Sequence, residues 1–451
     1  MGVAAALGAV AVLITLVYWP GTIDPDTTAS LHNAATGHYT DWHAPVLEML
    51  WHLPYRIGLH SPGWVLFADV YTLLLAFYLI LRVRLSRVWA SVFAVICCAF
   101  PPVLTWTIHI GNDTWFAAGI LCAFGFVARV ARTNGGARTW SIVGAVWFAA
   151  IASAARHNAV PAVLVLFVAL FAVVYPKWPH WRRIVVCGLG LLGTVGLLLV
   201  QYGVQSAVGT ASTHPVQSTY YYDLAQMSKE EHKVLLPPEL DPGQSLATID
   251  TSIDVHGAYA LFFGKLFSYG PVVHFPVEGQ AFTTLQKTWK HAVLHDRGAW
   301  LRERARVGVW MLSIGHPSFL LYSAPAQGYP PAFPSLNRAG FKYLTALAEG
   351  PVTPFGNNQY GDFLYDGWIY ALISVAGAIV LWRRTKAERV ISGLTIAMLL
   401  YTIVLAFAGP GELYRYIYPL VATGSVVLVL LLAPLASNLW RRRQGPSSSV
   451  R

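Results

Sequence analysis

Charged residues are scarce in this chain. Only 12% of its 451 residues are Asp, Glu, Lys or Arg, while 55% are apolar. Soluble proteins carry roughly 25% charged residues, so the composition argues against a soluble globular protein. Runs of about 20 apolar residues, long enough for a helix to cross a bilayer core, recur between short charged breaks. We therefore predict an all-α polytopic membrane protein.

Cysteines and internal repeats are also rare or absent. The four cysteines all lie inside apolar runs, at Cys97, Cys98, Cys122 and Cys187. Thiols in such surroundings usually behave as small apolar side chains, so we predict neither disulfides nor a cysteine metal site. The sequence has no repeat of 20 to 50 residues. This counts against a transporter, whose binding helices usually occur in repeated halves.

The first apolar run, residues 3–19, has no basic segment before it and no small-residue cleavage site after it. A basic segment before the apolar run and a small-residue cleavage site after it are typical of cleaved signal peptides. We therefore expect residues 3–19 to be an uncleaved membrane anchor.

Acidic residues are nearly absent from one set of loops. Five charged breaks hold 17 of the 31 Lys and Arg residues and a single acid, Glu388. They are residues 82–88, 129–138, 177–183, 383–389 and 441–451. Cytoplasmic loops are enriched in Lys and Arg, so we expect these breaks and both termini to face the cytoplasm from a plasma or inner membrane. The net charge of +10 lies in these breaks, so it does not indicate a nucleic-acid partner.

Two termini on the same side require an even number of spans. We predict ten, centred near residues 11, 73, 97, 122, 147, 167, 195, 375, 399 and 427. Two further apolar stretches, 257–275 and 307–325, are broken by polar residues and suggest interfacial or re-entrant segments. If both crossed the membrane, the total would be twelve.

The spans divide the chain into four parts. We predict an N-terminal membrane module over residues 1–207, an extracytoplasmic segment over 208–366, C-terminal membrane helices over 367–440 and a cytoplasmic tail over 441–451. A segment as long as 208–366 is rarely structureless, so we expect it to fold in part. Within it, Ser228-Lys229-Glu230-Glu231 has the capping-box spacing and predicts a helix start.

The densest polar cluster follows the first apolar run. Asp24 and Asp26 flank a proline, and Asp41 and His43 follow in the same loop. Two carboxylates at this spacing can share a cation, or divide the roles of general base and orienting group. The structural alternative is a turn in which an aspartate caps a helix at the membrane surface. For His43 the alternative to ligand binding is a polar residue in an interfacial loop.

Three further polar elements end spans on the side expected to face this cluster. They are Asn112-Asp113, Arg156-His157 and Arg415-Tyr416. An arginine at a membrane boundary either extends its head group to water or binds a partner, and its planar fork suits phosphate. Because acids, arginines and histidines converge on one face, we predict a binding site there. Asp69, inside the second span, either belongs to this site or accepts a hydrogen bond from a neighbouring helix.

The order of these features resembles the GT-C membrane glycosyltransferases. Asp24-Pro25-Asp26 stands where that class carries its acidic motif, and Asn112-Asp113 matches its second acidic site. Asp41-Trp42-His43-Ala44-Pro45 is similar to its His-Pro-Pro element, although Ala44 replaces the first proline. Arg415-Tyr416-Ile417-Tyr418-Pro419 is similar to its Arg-Tyr-x-x-Pro element. The resemblance covers residues 5–175 and 365–435. Within the class the chain resembles the protein O-mannosyltransferases and lipid A aminoarabinose transferases, and most of all bacterial relatives of them.

The resemblance implies a GT-C-like fold and transfer of a sugar from a polyprenyl-phosphate donor to an extracytoplasmic glycan, lipid or protein. Asp24 or Asp26 would act as the catalytic base. The residues implied to bind substrate are Asp41, His43, Asn112, Asp113, Arg156, His157, Arg415 and Tyr416. No cofactor is required, although the two acids suit a divalent cation bridging to the phosphate.

Two other functions stay open from the sequence. A polysaccharide polymerase or ligase also has many spans and a large external segment, but it tends to rely on external Arg and His. A transporter or flippase should carry several charged residues deep in its spans, and here Asp69 is the only acid placed clearly inside one.

Overall fold

The computed structural model describes residues 2–175, 182–240, 245–250, 277–314, 333–349, 364–409, 411 and 414–443. Every named element in these ranges is helical. In chain order they are α1 (Gly2–Tyr18), α2 (Pro25–Thr36), α3 (Pro45–Arg56), α4 (Gly63–Leu81), α5 (Arg87–Ala99), α6 (Pro101–Thr107), α7 (Asn112–Val130), α8 (Gly135–Ala155), a 3-10 turn (His157–Ala159), α9 (Val160–Val174), α10 (Arg182–Ala207), α11 (Gln217–Glu230), α12 (Gly279–His295), α13 (Arg297–Met311), α14 (Pro334–Glu349), α15 (Gly367–Trp382), α16 (Lys386–Ala408) and α17 (Tyr414–Arg443).

Within the described ranges, seven helical segments are long and apolar enough to cross a membrane. They lie in α4, α7, α8, α9 with its preceding 3-10 turn, α10, α16 and α17. The pair α5 and α6 makes an eighth if it is one span bent by 73°. Pro101 and Pro102 explain this bend, because proline lacks a backbone N–H and disfavours helix at the preceding residue. The prediction of a multi-pass, all-α membrane protein is confirmed.

All ten predicted span centres fall within apolar helices. The remaining two, α1 and α15, are apolar but shorter, with 17 and 16 residues. The total of ten therefore stays a prediction. Of the two optional stretches, 257–275 lies outside the described residues. The stretch 307–325 is described only to residue 314, and its first five residues form the end of α13, which stops at Met311.

Helix α7 forms the centre of the apolar core. Nearly all of its residues are buried, and it packs against α4 and α8. Gly119 allows the close approach of α8, since a Cβ there would lie 3.1 Å from the backbone nitrogen of Ala152. Small residues commonly permit such contacts between membrane helices. By contrast, Leu191, Leu192 and Leu199 of α10 are exposed, as expected for side chains that face lipid.

The two ends of the bundle differ in charge. At one end, Arg84 after α4 pairs with Glu388 in the first turn of α16 at 2.5 Å. We call this the arginine end. At the other, Asp24 before α2 and Asp113 in the first turn of α7 lie near Arg415 and Arg156. We call this the cavity end.

A small helical unit packs at the cavity end. Helices α11, α12 and α13 share a separate apolar core. The unit is attached to the bundle where α16 ends: the Thr219 hydroxyl donates to the Ala408 carbonyl at 2.8 Å, and Arg304 donates to the Gly409 carbonyl at 2.6 Å. The described part of the 208–366 segment is therefore folded.

The predicted helix start at Ser228 is wrong. Ser228 lies in the last turn of α11, where its hydroxyl donates to the Leu224 carbonyl and accepts from the Leu235 amide. The capping-box spacing is short and occurs by chance. Here six of the eight residues 220–227 are apolar and buried in the unit's core, and their packing explains why the helix continues through residue 228. A complete capping box occurs elsewhere, between Thr385 and Glu388 at the start of α16.

Candidate active site

A cavity of about 340 Å³ opens at the cavity end. Its lining comes from the start of α2, the loops before α3 and α7, the turn between α8 and α9, the end of α16, and the starts of α11 and α17. Nine of the ten site residues predicted from the sequence line it: Asp24, Asp26, His43, Asn112, Asp113, Arg156, His157, Arg415 and Tyr416. The cavity therefore gathers residues that are almost 400 positions apart in the chain.

Backbone pairing brings the first acidic loop to the second. The Thr22 amide donates to the Ile108 carbonyl, and the Ile110 amide donates to the Thr22 carbonyl, both at 2.9 Å. Gly21 makes this approach possible: its φ is +101°, and a Cβ there would lie 2.8 Å from Ile110. Side chains are strained at such a φ. The pairing places residue 24 next to residue 109.

Asp24 has a structural role as well as a place in the cavity. Its Oδ1 accepts from the Thr27 amide at 2.6 Å and so caps α2, the structural alternative weighed from the sequence. Its Oδ2 lies 3.4 Å from His109 Nε2 and 3.3 Å from Arg415 Nη1. Burial alone would raise the pKa of this carboxyl, but His109, Arg415 and the Thr27 amide together hold the pKa well below its usual range. Asp24 is therefore an ionised anchor and a weak base.

Asp26 is the more accessible of the two acids. Its side chain is 29% exposed, against 5% for Asp24. Its Oδ2 accepts from Arg415 Nη1 at 2.6 Å. Because this one contact can be given up without uncapping a helix, Asp26 is the carboxylate better placed to exchange a proton with a ligand.

A second ion pair, Arg156 with Asp113, also lines the cavity. Arg156, between α8 and the 3-10 turn, donates through Nε to Asp113 Oδ1 at 2.6 Å, and its Nη2 contacts the same oxygen. The Tyr416 ring contacts two cations: its centroid lies 5.2 Å from the Arg156 guanidinium carbon and 5.3 Å from that of Arg415. Cations are attracted to aromatic faces, so Tyr416 helps to hold both guanidinium groups close to the cavity.

His157 fixes the loop that carries His43. Its Nε2 lies 3.2 Å from the Asp41 carbonyl oxygen and 3.3 Å from that of His43, so a proton on Nε2 is donated to both. Burial lowers the pKa of His43, against the opposing charges of Asp26 and Asp24. His43 is therefore held as a neutral imidazole at neutral pH.

Asp41 is the one predicted site residue that does not line the cavity. Its carboxylate accepts from the Ser212 hydroxyl at 2.9 Å, the Thr213 hydroxyl at 2.7 Å and the Thr213 amide. It thus joins the first loop to the segment after α10. These three donors, unseen in the sequence pattern, explain why the carboxylate is not available for a ligand.

Two polar atoms at the cavity are buried and have no hydrogen-bond partner among the described residues: the acceptor Asn112 Oδ1 and the donor Arg415 Nε. Unsatisfied buried polar groups are costly, and both residues line the cavity. Their presence suits a ligand that offers hydroxyl donors and anionic oxygens. Sugars and phosphates carry these groups.

Metal ligands are few in this arrangement. Among the described residues, no group of three or more His, Cys, Asp or Glu side chains is placed to hold a metal ion. Asp24 and Asp26, the pair suggested for a cation, both contact the same Arg415 nitrogen.

One important residue was missed from the sequence. His109 lines the cavity, its Nε2 lies 3.4 Å from Asp24 Oδ2, and its ring is tilted by 36° against the Trp106 ring, with centroids 4.4 Å apart. Its proximity depends on the pairing of residues 22 and 110, which no local pattern reveals. Asp69, by contrast, is buried in α4, does not line the cavity and has no hydrogen-bond partner among the described residues. It fits neither role considered for it.

Searches against protein-family models, curated proteins and solved structures found no match to this chain. The likeness to GT-C transferases thus depends on the short motifs quoted above. The geometry of the cavity is independent of that likeness.

Proposed function

We propose that this protein is a GT-C-type membrane glycosyltransferase. It would move a sugar from a polyprenyl-phosphate donor to an extracytoplasmic glycan, lipid or protein. The observation that carries the proposal is the cavity at the ends of membrane helices, where two carboxylates meet Arg415 and the Arg156–Asp113 pair also forms part of the lining.

The donor's chemistry explains why this site belongs at a helix end. A polyprenyl chain lies in the bilayer, and its phosphate lies at the surface. An enzyme that uses such a donor needs membrane helices beside the lipid and fixed cations near the phosphate. The cavity supplies both, because Arg156 and Arg415 lie at the ends of α8 and α17.

The reaction would be a single displacement with inversion. The acceptor hydroxyl oxygen attacks the anomeric carbon, the bond from that carbon to the phosphate oxygen breaks, and the electron pair leaves with the polyprenyl phosphate. The hydroxyl proton passes to Asp26. General-base catalysis of this kind contributes about 10² to 10⁴ in rate.

We assign Asp26 as the base and Asp24 as the group that orients Arg415. Asp24 is committed to capping α2 and to its contacts with His109 and Arg415, which leaves it a weak base. Asp26 is more exposed and becomes free when Arg415 turns toward the phosphate.

The leaving group would be stabilised by Arg415 and Arg156. Developing negative charge on a phosphate rewards donors that are already in place, and Arg156 is held by Asp113 and Tyr416. Asn112 and His43 are placed to bind sugar hydroxyls. The proposal requires no metal ion.

The proposal includes the topology expected from the sequence. Ten spans with cytoplasmic termini would place the cavity outside the cytoplasm and the arginine end inside. The helical unit α11–α13 contributes Ser218 and Thr219 to the lining, so it would border the acceptor.

The test is sugar transfer by the purified protein in lipid. Polyprenyl-phosphate donors carrying a labelled sugar are supplied with a cell-envelope extract as acceptor, with and without a chelator. We expect label to enter the extract and Asp26→Asn to reduce the rate by about 10² to 10⁴. Glu230→Gln, on the exposed side of α11, is the matched control and should retain the wild-type rate.

Wild-type rates from both Asp24→Asn and Asp26→Asn would contradict the catalytic assignment. Transfer only from diphosphate-linked oligosaccharides would favour a polymerase or ligase instead. Loss of transfer with the chelator, restored by a divalent cation, would add a metal to the mechanism.

A further inference from the structure

A second cavity, of about 590 Å³, lies at the arginine end. It lies between the first turn of α1, the end of α4, the start of α5 and the end of α7. Four arginines line it: Arg82, Arg87, Arg129 and Arg132. None of its lining residues is acidic.

An acid at the arginine end, Glu388, is already engaged. Glu388 pairs with Arg84 at 2.5 Å and accepts from the Thr385 amide at 2.9 Å. Arg84 lies outside this cavity's lining, and its Nη1 also donates to the Leu430 carbonyl. Among the described residues, the four lining arginines have no carboxylate partner.

Two of these arginines are fixed by backbone contacts. Arg132 donates to the Arg82 carbonyl, and Arg82 donates to the Leu85 carbonyl. Burial, and then the charge of Arg82, lowers the pKa of Arg132. Like charges held this close repel each other, and an anion between them would relieve the repulsion.

The remaining lining identifies the kind of anion. Val3, Ala4 and Leu79 are apolar and belong to helices with membrane-like composition. The first turn of α1 adds backbone N–H groups that lack acceptors within the helix. A cationic pocket with apolar walls at the end of membrane helices matches a phospholipid, whose phosphate contacts the guanidinium groups while its acyl chains follow the apolar walls.

We propose that this cavity binds the phosphate head group of an anionic phospholipid. The inference is independent of sugar transfer, since the two cavities lie at opposite ends of the bundle. It concerns a structural lipid that holds α1, α4, α5 and α7 together at this end.

The test uses the purified full-length protein in nanodiscs that contain phosphatidylglycerol and phosphatidylcholine. Mass spectrometry measures which lipid the protein retains. The variant is Arg87→Gln with Arg129→Gln, because these side chains are exposed and their removal leaves the hydrogen bonds of Arg82 and Arg132 in place. The control is Arg383→Gln with Arg384→Gln, an equal charge change at the same end but outside the cavity.

We expect the wild type to retain phosphatidylglycerol over phosphatidylcholine. Taking about 1 kcal/mol, or about fivefold, for each arginine that contacts the lipid phosphate inside the cavity, we expect the double variant to bind about 25-fold more weakly. The control should change retention far less. Gel-filtration and thermal unfolding profiles establish that both variants are folded.

Equal retention in wild type and the Arg87/Arg129 variant would overturn the proposal, as would an equal loss from the Arg383/Arg384 control. Inorganic phosphate is added as a competitor in a separate arm. If inorganic phosphate displaces the lipid completely from the wild-type protein, the cavity is a site for a soluble phosphate and the phospholipid assignment fails.

Discussion

Two clusters of oppositely charged side chains lie at the cavity end, and they differ mainly in how accessible they are to a ligand. In the helical unit, Asp223 and Arg304 are fully buried and paired, and Asp223 Oδ2 also accepts from the Trp289 and Trp300 indoles at 2.7 and 3.1 Å. In the cavity, Asp26 is 29% exposed. The same residue types thus make a closed structural pair in one place and a ligand-accessible group in the other.

The comparison shows how to separate a site from a support. Arg304 donates through Nη1 to the Gly409 carbonyl at the end of α16. Its side chain is fully buried and does not line the cavity, so a ligand there does not reach its other donors. Arg415 keeps a buried Nε without a partner among the described residues. Unused hydrogen-bonding capacity at an accessible position is therefore the feature that distinguishes the cavity.

The largest expected effect on stability comes from breaking the closed pair. Arg304→Ala leaves the Asp223 carboxyl fully buried without its charged partner, and removing one partner of a buried pair typically costs about 3–5 kcal/mol. We expect a large fall in the folded fraction and in the thermal midpoint measured in detergent. The double variant Asp223→Asn with Arg304→Met buries no charge and should recover much of the loss. An Arg304→Ala protein as stable as wild type would contradict the role given to this pair.

A second effect should depend on pH. Burial raises the pKa of Glu48 from 4.5 to about 7, against hydrogen bonds from Ser30 and Asn33. The folded protein therefore holds this proton over a pH range in which the unfolded chain has released it. The contribution of Glu48 to the free energy of unfolding is full below pH 4.5 and is lost as the pH rises to about 7. The loss amounts to about 3 kcal/mol. Glu48→Gln should remove this dependence and make the protein more stable than wild type at pH 8.

The measurement is thermal unfolding of both proteins across this pH range at one scan rate. Parallel curves for wild type and Glu48→Gln would mean that Glu48 is ionised in the fold. Glu48 is part of the α2–α3 support and does not line the cavity, so this result leaves the transfer reaction untouched.

A smaller effect separates the two roles of Asp24. Asparagine caps helices about as well as aspartate, whereas alanine loses about 1 kcal/mol. Asp24→Asn should therefore keep α2 capped while removing the charge beside Arg415. Asp24→Ala should be less stable than Asp24→Asn by about 1 kcal/mol. Thermal midpoints of the two variants test this. If they are equal, the Thr27 amide hydrogen bond contributes nothing to the stability of α2.

The smallest effect is expected from an exposed pair in the same helical unit. Arg302 contacts Glu230 at 2.6 Å, but the two side chains are 66% and 36% exposed. Such pairs contribute about 0 to 1 kcal/mol, so Arg302→Ala should shift the thermal midpoint only slightly. A loss as large as that of Arg304→Ala would mean that position in the unit, and not burial, explains the stability effect.

The sequence predicted the site better than it predicted the external segment. Residues 24, 113, 156 and 415 follow or precede apolar runs, and a membrane helix must end where its apolar run ends. Span ends alone therefore bring them to one face. The Ser228 prediction failed because a four-residue pattern carries little information when buried apolar residues continue the helix beyond it.

By itself, the sequence determined the membrane class, the apolar helices and the face on which acids and arginines gather. These follow from hydropathy and charge, which act along the chain. Only the tertiary structure decided that Asp24 pairs with His109, that Asp41 is used by Ser212 and Thr213, and that Asp26 stays accessible. Those facts depend on contacts between distant segments, and local composition does not encode them.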